Sequence, residues 1–305
     1  MKKILVIGSM NMDYSIKTSR IPKEGETIIG EEVKLNPGGK GANQAYALAK
    51  LGTNISMIGS VGNDQNGELL KQNLMSVGVS LTGVKTLDNC NTGVAFVAVS
   101  KIGENSIIAI SGANSKITID DIDNNIELIK EADIILMQLE IPLDVVKYVS
   151  SLAHANNKLV VLDPAPARSD LDSSLYSNVD IMKPNETELE ILSGISINND
   201  NDIIVAAKKL VEQGVKNVIV SLGSKGSILI NEKGYKKYDA IKTNVVDTTA
   251  AGDSFTAALV SSLANDKELD EAIVFGHKVA ALVVSKRGAQ ASIPSLSEVN
   301  TYYGE

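Results

Sequence analysis

The chain has 305 residues, of which 44% are hydrophobic and 22% charged. That composition supports a sizeable buried core and excludes a disordered chain or a disulfide-stapled miniprotein. Its 29 Lys and Arg against 37 Asp and Glu leave a net charge of −8, which excludes a protein that coats nucleic acid or an anionic membrane by charge alone. Only Arg20, Arg168 and Arg287 are arginines, so a phosphate site here is not an arginine cluster. A single cysteine, Cys90, rules out an internal disulfide and a cysteine-based zinc site, and His154 and His277 lie far apart in the sequence.

Taken in chain order, the apolar run 4–7 stops at Gly8, which predicts a buried first strand rather than a leader. Residues 14–34, with Pro22, Gly25 and Gly30, alternate without a helical period. A helix is predicted at 43–51, a strand at 55–59 and a helix at 67–77. The stretch 92–110 alternates again around a Gly103 turn. There follow a helix at 119–131, a strand at 134–137, a helix at 143–155, and strands at 159–162 and 181–182. Helices at 186–192 and 203–212 flank a polar loop, NNDND, at 198–202. Strands at 218–221 and 227–230 and a helix at 253–263 close the series. No run approaches the roughly 18 to 20 apolar residues of a membrane span, and the expectation is a cytoplasmic protein. Strand and helix in alternation predict an α/β fold with a mostly parallel central sheet flanked by helices. Residues 14–34 and 92–110 are expected to form antiparallel strands of a small β-sheet lid on a single domain spanning 1–305.

Six groups of residues can carry chemistry. In DTTAAGDS, 247–254, small residues lead into an apolar helix, and helix N-terminal amides attract anions. Ala250, Ala251 and Gly252 then form an anion hole. Asp253 is either an N-cap or a general base, and Asp247 a cap or a cation ligand. PGGKGANQ, 37–44, meets neither the P-loop nor the dinucleotide pattern. It is a flexible turn or a glycine-lined wall in which Lys40 and Asn43 bind hydroxyls. Asn11 and Asp13 follow the first strand, and Glu140 follows another, where parallel sheets place ligands. In KPNETE, 183–188, Asn185 and Glu188 form a cap or supply oxygens to magnesium through water. SLGSKG, 221–226, is a glycine turn that can admit a nucleobase or ribose. Sugar-like polar groups, an anion hole and a carboxylate together point to phosphoryl transfer from a nucleotide to a hydroxyl.

GGKGAN at 38–43 together with DTTAAGDSF at 247–255 resembles the two signatures of the PfkB-type carbohydrate kinases. NMD at 11–13, SGAN at 111–114, MQLE at 137–140, DPAPA at 163–167, PNETE at 184–188, LGSKG at 222–226 and KRGAQASIP at 286–294 resemble, in the same order, segments of the members that phosphorylate ribose. The resemblance implies ATP-dependent phosphorylation of D-ribose at O5, or of a related pentose, deoxyribose or nucleoside. It implies that Asn11, Asp13, Gly39, Lys40, Asn43 and Glu140 hold the sugar, with Asp253 as base and Ala250 to Gly252 as anion hole. Asn185, Ser221, Gly223, Gly226, Gly252 and His277 would contact ATP, and Glu188 would hold Mg2+ through water. Asp247, Thr249, Val283, Lys286, Gly288 and Ser292 would surround K+, several through carbonyls. The lid would also form a homodimer interface. A protein that senses sugar or nucleotide without catalysis is the alternative class, against which the intact Gly252–Asp253 pair speaks. The sequence departs from that pattern at Met12, where a smaller residue occurs and which is expected to tune the pocket, and at Asp163, where asparagine is common.

Overall fold

A computed structural model describes residues 1–102 and 104–304, and the predicted turn at Gly103 lies outside them. In chain order the elements are β1 (Lys3–Ile7), β2 (Asn11–Lys17), β3 (Glu32–Gly38), α1 (Lys40–Lys50), β4 (Asn54–Gly62), α2 (Gln65–Ser76), β5 (Ser80–Leu87), β6 (Gly93–Val99) and β7 (Asn105–Ile110). Next come α3 (Ile119–Asn124), α4 (Ile126–Glu131), β8 (Ile134–Met137), α5 (Leu143–Ala155), β9 (Leu159–Leu162), α6 (Ser173–Tyr176), β10 (Ile181–Met182), α7 (Glu186–Ser193) and α8 (Asp200–Glu212). The last are β11 (Asn217–Ser221), β12 (Ser227–Asn231), β13 (Gly234–Tyr238), α9 (Ala251–Ala264), α10 (Leu269–Val284) and α11 (Leu296–Tyr303).

Nine strands form one sheet in the order β13-β12-β11-β10-β9-β8-β1-β4-β5, parallel from β11 to β5 and antiparallel at β12 and β13. The run ILVI explains why β1 lies inside it. Ile4 and Val6 belong to the apolar cluster on one face, which also holds Leu48 and Leu259, whereas Leu5 and Ile7 belong to the cluster on the other face, which holds Val145 and Val149. A strand buried on both faces needs an unbroken apolar run, and each such side chain contributes about 1.5–3 kcal/mol. The carboxyl ends of β1, β8, β9, β10 and β11 therefore share one edge of the sheet, where the site forms.

A second sheet of four strands has the order β3-β2-β6-β7. It differs from expectation in two ways. It starts at Asn11 rather than 14 and reaches Gly38, and its central pair, β2 with β6, is parallel rather than antiparallel. The predicted helix 119–131 is broken at Asn125, which ends α3 and caps α4. The NNDND segment is not a free loop: Asn199 Oδ1 accepts the N–H groups of Asn201 and Asp202, capping α8, whose first turn contains Asp200 and Asp202. Among the described residues, no helix is long and apolar enough to cross a membrane.

Candidate active site

The residues expected to hold the sugar lie around the ends of β1 and β8, the start of α1 and strand β2. Gly39 adopts φ +86°, and a side chain there would lie 2.7 Å from the Asn11 nitrogen. A Cβ on Gly41 would come 2.6 Å from the Gly8–Ser9 backbone. GGKG is thus a close-packed wall, not a flexible turn, and α1 starts at Lys40, three residues earlier than predicted. Asn11 is buried and its Oδ1 accepts from Asn114 Nδ2 at 2.7 Å. Asp13 projects from the same strand face, whereas Met12 points the other way into the apolar core with Met10 and Ala42. Met12 therefore does not face the pocket. Glu140 accepts the Lys40 N–H at 3.1 Å and the Ser9 hydroxyl, which fixes it against the start of α1.

Burial, then the neighbouring Glu140 and Asp253 carboxylates, push Asp13 up to about 7. Burial opposes the Lys40 charge, but Asp253, Asp163, Glu140 and Glu188 outweigh it and hold the ammonium well above its usual range. A raised carboxylate has a definite sign for stability. Between its unfolded value of 3.8 and about 7 the folded chain keeps a proton that the unfolded chain has released. Stability therefore falls as pH rises through that window, by at most about 1.4 kcal/mol per unit. Asp13→Asn is expected to remove this slope. Its melting temperature should match the parent near pH 4 and exceed it at pH 8, and a variant that melts lower at pH 8 would refute the assignment.

Asp253 is not an N-cap. Ala250 holds that position in a left-handed conformation, φ +60°, and Asp253 is the third residue of α9. Its carboxylate is buried and accepts Asn43 Nδ2 at 2.9 Å and Gln44 Nε2 at 3.0 Å. The same Gln44 nitrogen reaches Asp163 at 2.8 Å, and Gln138 donates to Gln44 Oε1 at 2.6 Å. Gln290 holds Asn43 Oδ1 at 3.0 Å. Both carboxylate oxygens are thus aimed by amides that are themselves held. Of the expected anion-hole amides, Ala251 N–H donates to Thr248 O at 3.2 Å in this conformation.

Asp253 and Lys40 line a cleft of about 1070 Å³ together with Gly252, Asn185, Glu188, Ser221, Gly223, Gly226 and His277. Gly223 and Gly226 have φ +56° and +98°, and a Cβ on Gly226 would strike the Tyr238 carbonyl. The apolar stretch around Phe255, Ala280 and Val284 suits a flat ring. His277 Nε2 bonds Ser227 Oγ at 2.9 Å, its ring edge meets Phe255, and burial pushes it below its usual range. Asn185 and Glu188 form a reciprocal capping box at the start of α7. Glu188 still lines the cleft, and among the described residues no cluster of three acidic, His or Cys side chains could hold a metal unaided. These oxygens fit a hydrated divalent ion that also uses substrate phosphates.

Of the six residues of the expected potassium shell, hydrogen bonds join Asp247, Thr249 and Gly288. Asp247 accepts Thr249 N–H at 2.9 Å, Thr249 Oγ1 at 2.6 Å and Gly288 N–H at 2.9 Å. Although burial opposes it, these bonds hold Asp247 below its usual range. Val283 O accepts from Lys286 N–H at 3.1 Å, and Lys286 Nζ turns outward to Glu298 at 3.5 Å. Ser292 is buried and bonds Ala289 O. Sequence reasoning gave no role to Gln44, Lys183 or Gln290. All three lay within quoted segments, but their partners are remote in sequence.

The sequence profile described as pfkB family carbohydrate kinase matches residues 1–296. The chain is 40% identical over 298 residues to the ribokinase of Haemophilus influenzae, covering 97% of each chain. It is 37% identical over 299 residues to the deoxyribokinase of Salmonella typhi, covering 98% of each. The structure of Arabidopsis thaliana ribokinase complexed with ribose and ATP superposes with a TM-score of 0.90 at 36% identity, over 98% of both chains.

Proposed function

Because this chain belongs to the pfkB family of carbohydrate kinases, we propose that it transfers the γ-phosphoryl group of ATP to O5 of D-ribose, giving ribose 5-phosphate and ADP. The observation that carries the reading is the placement of Asp253, buried and aimed by Asn43 and Gln44, between the sugar wall and the long cleft. Asn11, Asp13, Gly39, Lys40, Asn43 and Glu140 bind the ribose hydroxyls. Asp253 takes the O5 proton, and the amides of Ala250 to Gly252 stabilise the phosphoryl charge as it moves. Asn185, Ser221, Gly223, Gly226 and His277 hold the nucleotide. Glu188 would hold Mg2+ through water, and the ion would supply positive charge to the phosphates. Asp247, Thr249, Val283, Lys286, Gly288 and Ser292 would hold a potassium ion, whose charge would help keep the anion hole in shape.

A homodimer through the small sheet completes the reading. Val33, Leu35, Ile107, Ile108 and Ile110 are exposed on its outer strands, more apolar surface than isolated surface residues require.

A coupled ADP-release assay over a sugar panel tests the function. Asn11 and Asp13 are buried or half-buried, and a sugar lacking a hydroxyl leaves such groups unpaired at about 1–3 kcal/mol each. Ribose is expected to exceed 2-deoxyribose in kcat/KM by about tenfold or more. Equal efficiencies would favour a deoxyribose kinase, the second reading that the similarity to the Salmonella typhi protein supports.

A further inference from the structure

Two adjacent parallel strands end side by side on the nucleotide wall. Met182 of β10 pairs with Leu162 of β9, so the next residues, Lys183 and Asp163, emerge together. Their side chains are only 5% and 2% exposed. A buried ammonium of this kind normally has a close partner, but the Nζ–Oδ2 separation is 3.4 Å, longer than the roughly 2.7–2.9 Å of a charge-assisted hydrogen bond. The same Oδ2 already accepts Gln44 Nε2 at 2.8 Å, and Asp163 Oδ1 has no hydrogen-bond partner.

On its other side Lys183 faces the start of α9. A methyl group built on Gly252 would lie 3.4 Å from Nζ, and both residues line the cleft. An ammonium and the positive end of a helix dipole thus face each other across a gap, and the Asp163 oxygen that accompanies the ammonium stands at 3.4 Å. Two positive features brought this close are stabilised when a further anion enters.

We propose that Lys183 is a catalytic residue: its ammonium leaves the long contact with Asp163 and pairs with non-bridging oxygens of the transferring phosphoryl group, opposite the amides of α9. This rests on the kinase reading above and adds a residue to it. As the bond from O5 to phosphorus forms and the bond from phosphorus to the departing ADP oxygen breaks, the O5 proton goes to Asp253. Lys183 keeps all its protons and contributes charge alone. Lys40 does not duplicate this role, because Asp253, Asp163, Glu140 and Glu188 already surround its charge.

Lys183→Met keeps the chain length and removes the charge. The expected result is a fall in kcat of about 10²–10³-fold, the range for losing one preorganised donor, with the ribose KM little changed. A purely structural lysine, present to neutralise Asp163, predicts something different: the double variant Lys183→Met, Asp163→Asn recovers kcat, since no lone charge remains. The proposal expects the double variant to stay as slow as the single one. Where the single variant fails to fold, the double variant carries the comparison with Asp163→Asn, which retains the lysine. Calorimetry with AMP, ADP and a non-hydrolysable ATP analogue supplies a reading that needs no sugar. The parent's preference for the triphosphate over AMP should shrink about tenfold or more on removing Lys183. Recovery in the double variant, or an unchanged triphosphate preference, overturns the proposal. A parent that binds the analogue but phosphorylates no ribose overturns the sugar assignment instead, and the analogue affinities still decide the role of Lys183.

Discussion

Asp253→Asn is expected to lower kcat by about 10²–10⁴-fold, the usual contribution of a positioned general base. Two amides hold the carboxylate. Asn43 donates to one oxygen and Gln44 to the other, and an ionised carboxylate is the one side chain of this shape that accepts at both positions. Asparagine keeps the volume but places an NH2 group against one of those donors. It loses the proton acceptor and one hydrogen bond together. Ribose calorimetry separates the two effects. A catalytic role predicts slow turnover with ribose binding roughly retained, and the melting temperature reports what the lost hydrogen bond costs. Near-parent turnover in the purified variant would remove Asp253 from the base position.

The parts of the fold that were legible are those whose neighbours are supplied by the pattern itself. IILM, LVVL and IM are short apolar runs bounded by polar or turn residues, and β8, β9 and β10 begin and end where those runs do. The amphipathic period of LDVVKYVSSLAHA likewise delimits α5. What escaped notice had another cause. In α10 apolar residues surround the helix, and Gly276 lies mid-helix with the Phe255 ring packed where a Cβ would stand, 2.8 Å away. Buried on several sides, it shows no polar stripe to read. Strand β5 contains Gly83, needed because a side chain there would press on Ile58 at 2.7 Å, and its other residues are mostly half-exposed. Segment resemblance named the candidate site residues, but not their second partners. Gln44 acts on Asp253 and Asp163, which lie 209 and 119 residues away. No local spacing encodes such a bridge.

Activity in sodium-only buffer is expected to be low and to rise on adding potassium. Asp247 joins two loops: it caps Thr249 just before Ala250, and it reaches across to Gly288 in the 286–292 segment. Val246 and Asp247 N–H also both donate to the Val284 carbonyl, tying the first loop to the end of α10. Ala250 sits at φ +60°, a conformation that alanine adopts at a cost and that these loops must hold. A monovalent ion among the carbonyls between the loops would lock that conformation and with it the amides of Ala250 to Gly252. Losing one preorganised donor of this kind costs about 10²–10³-fold in kcat in other enzymes, so the ion should act on turnover more than on ribose affinity. A cage sized for potassium leaves the smaller sodium under-coordinated, which makes the response selective. Asp247→Ala should abolish the rise with potassium and leave a slow, cation-independent enzyme. If the parent runs equally fast in sodium, potassium and a bulky organic cation, the loops are held by hydrogen bonds alone and Asp247 serves only as their cap.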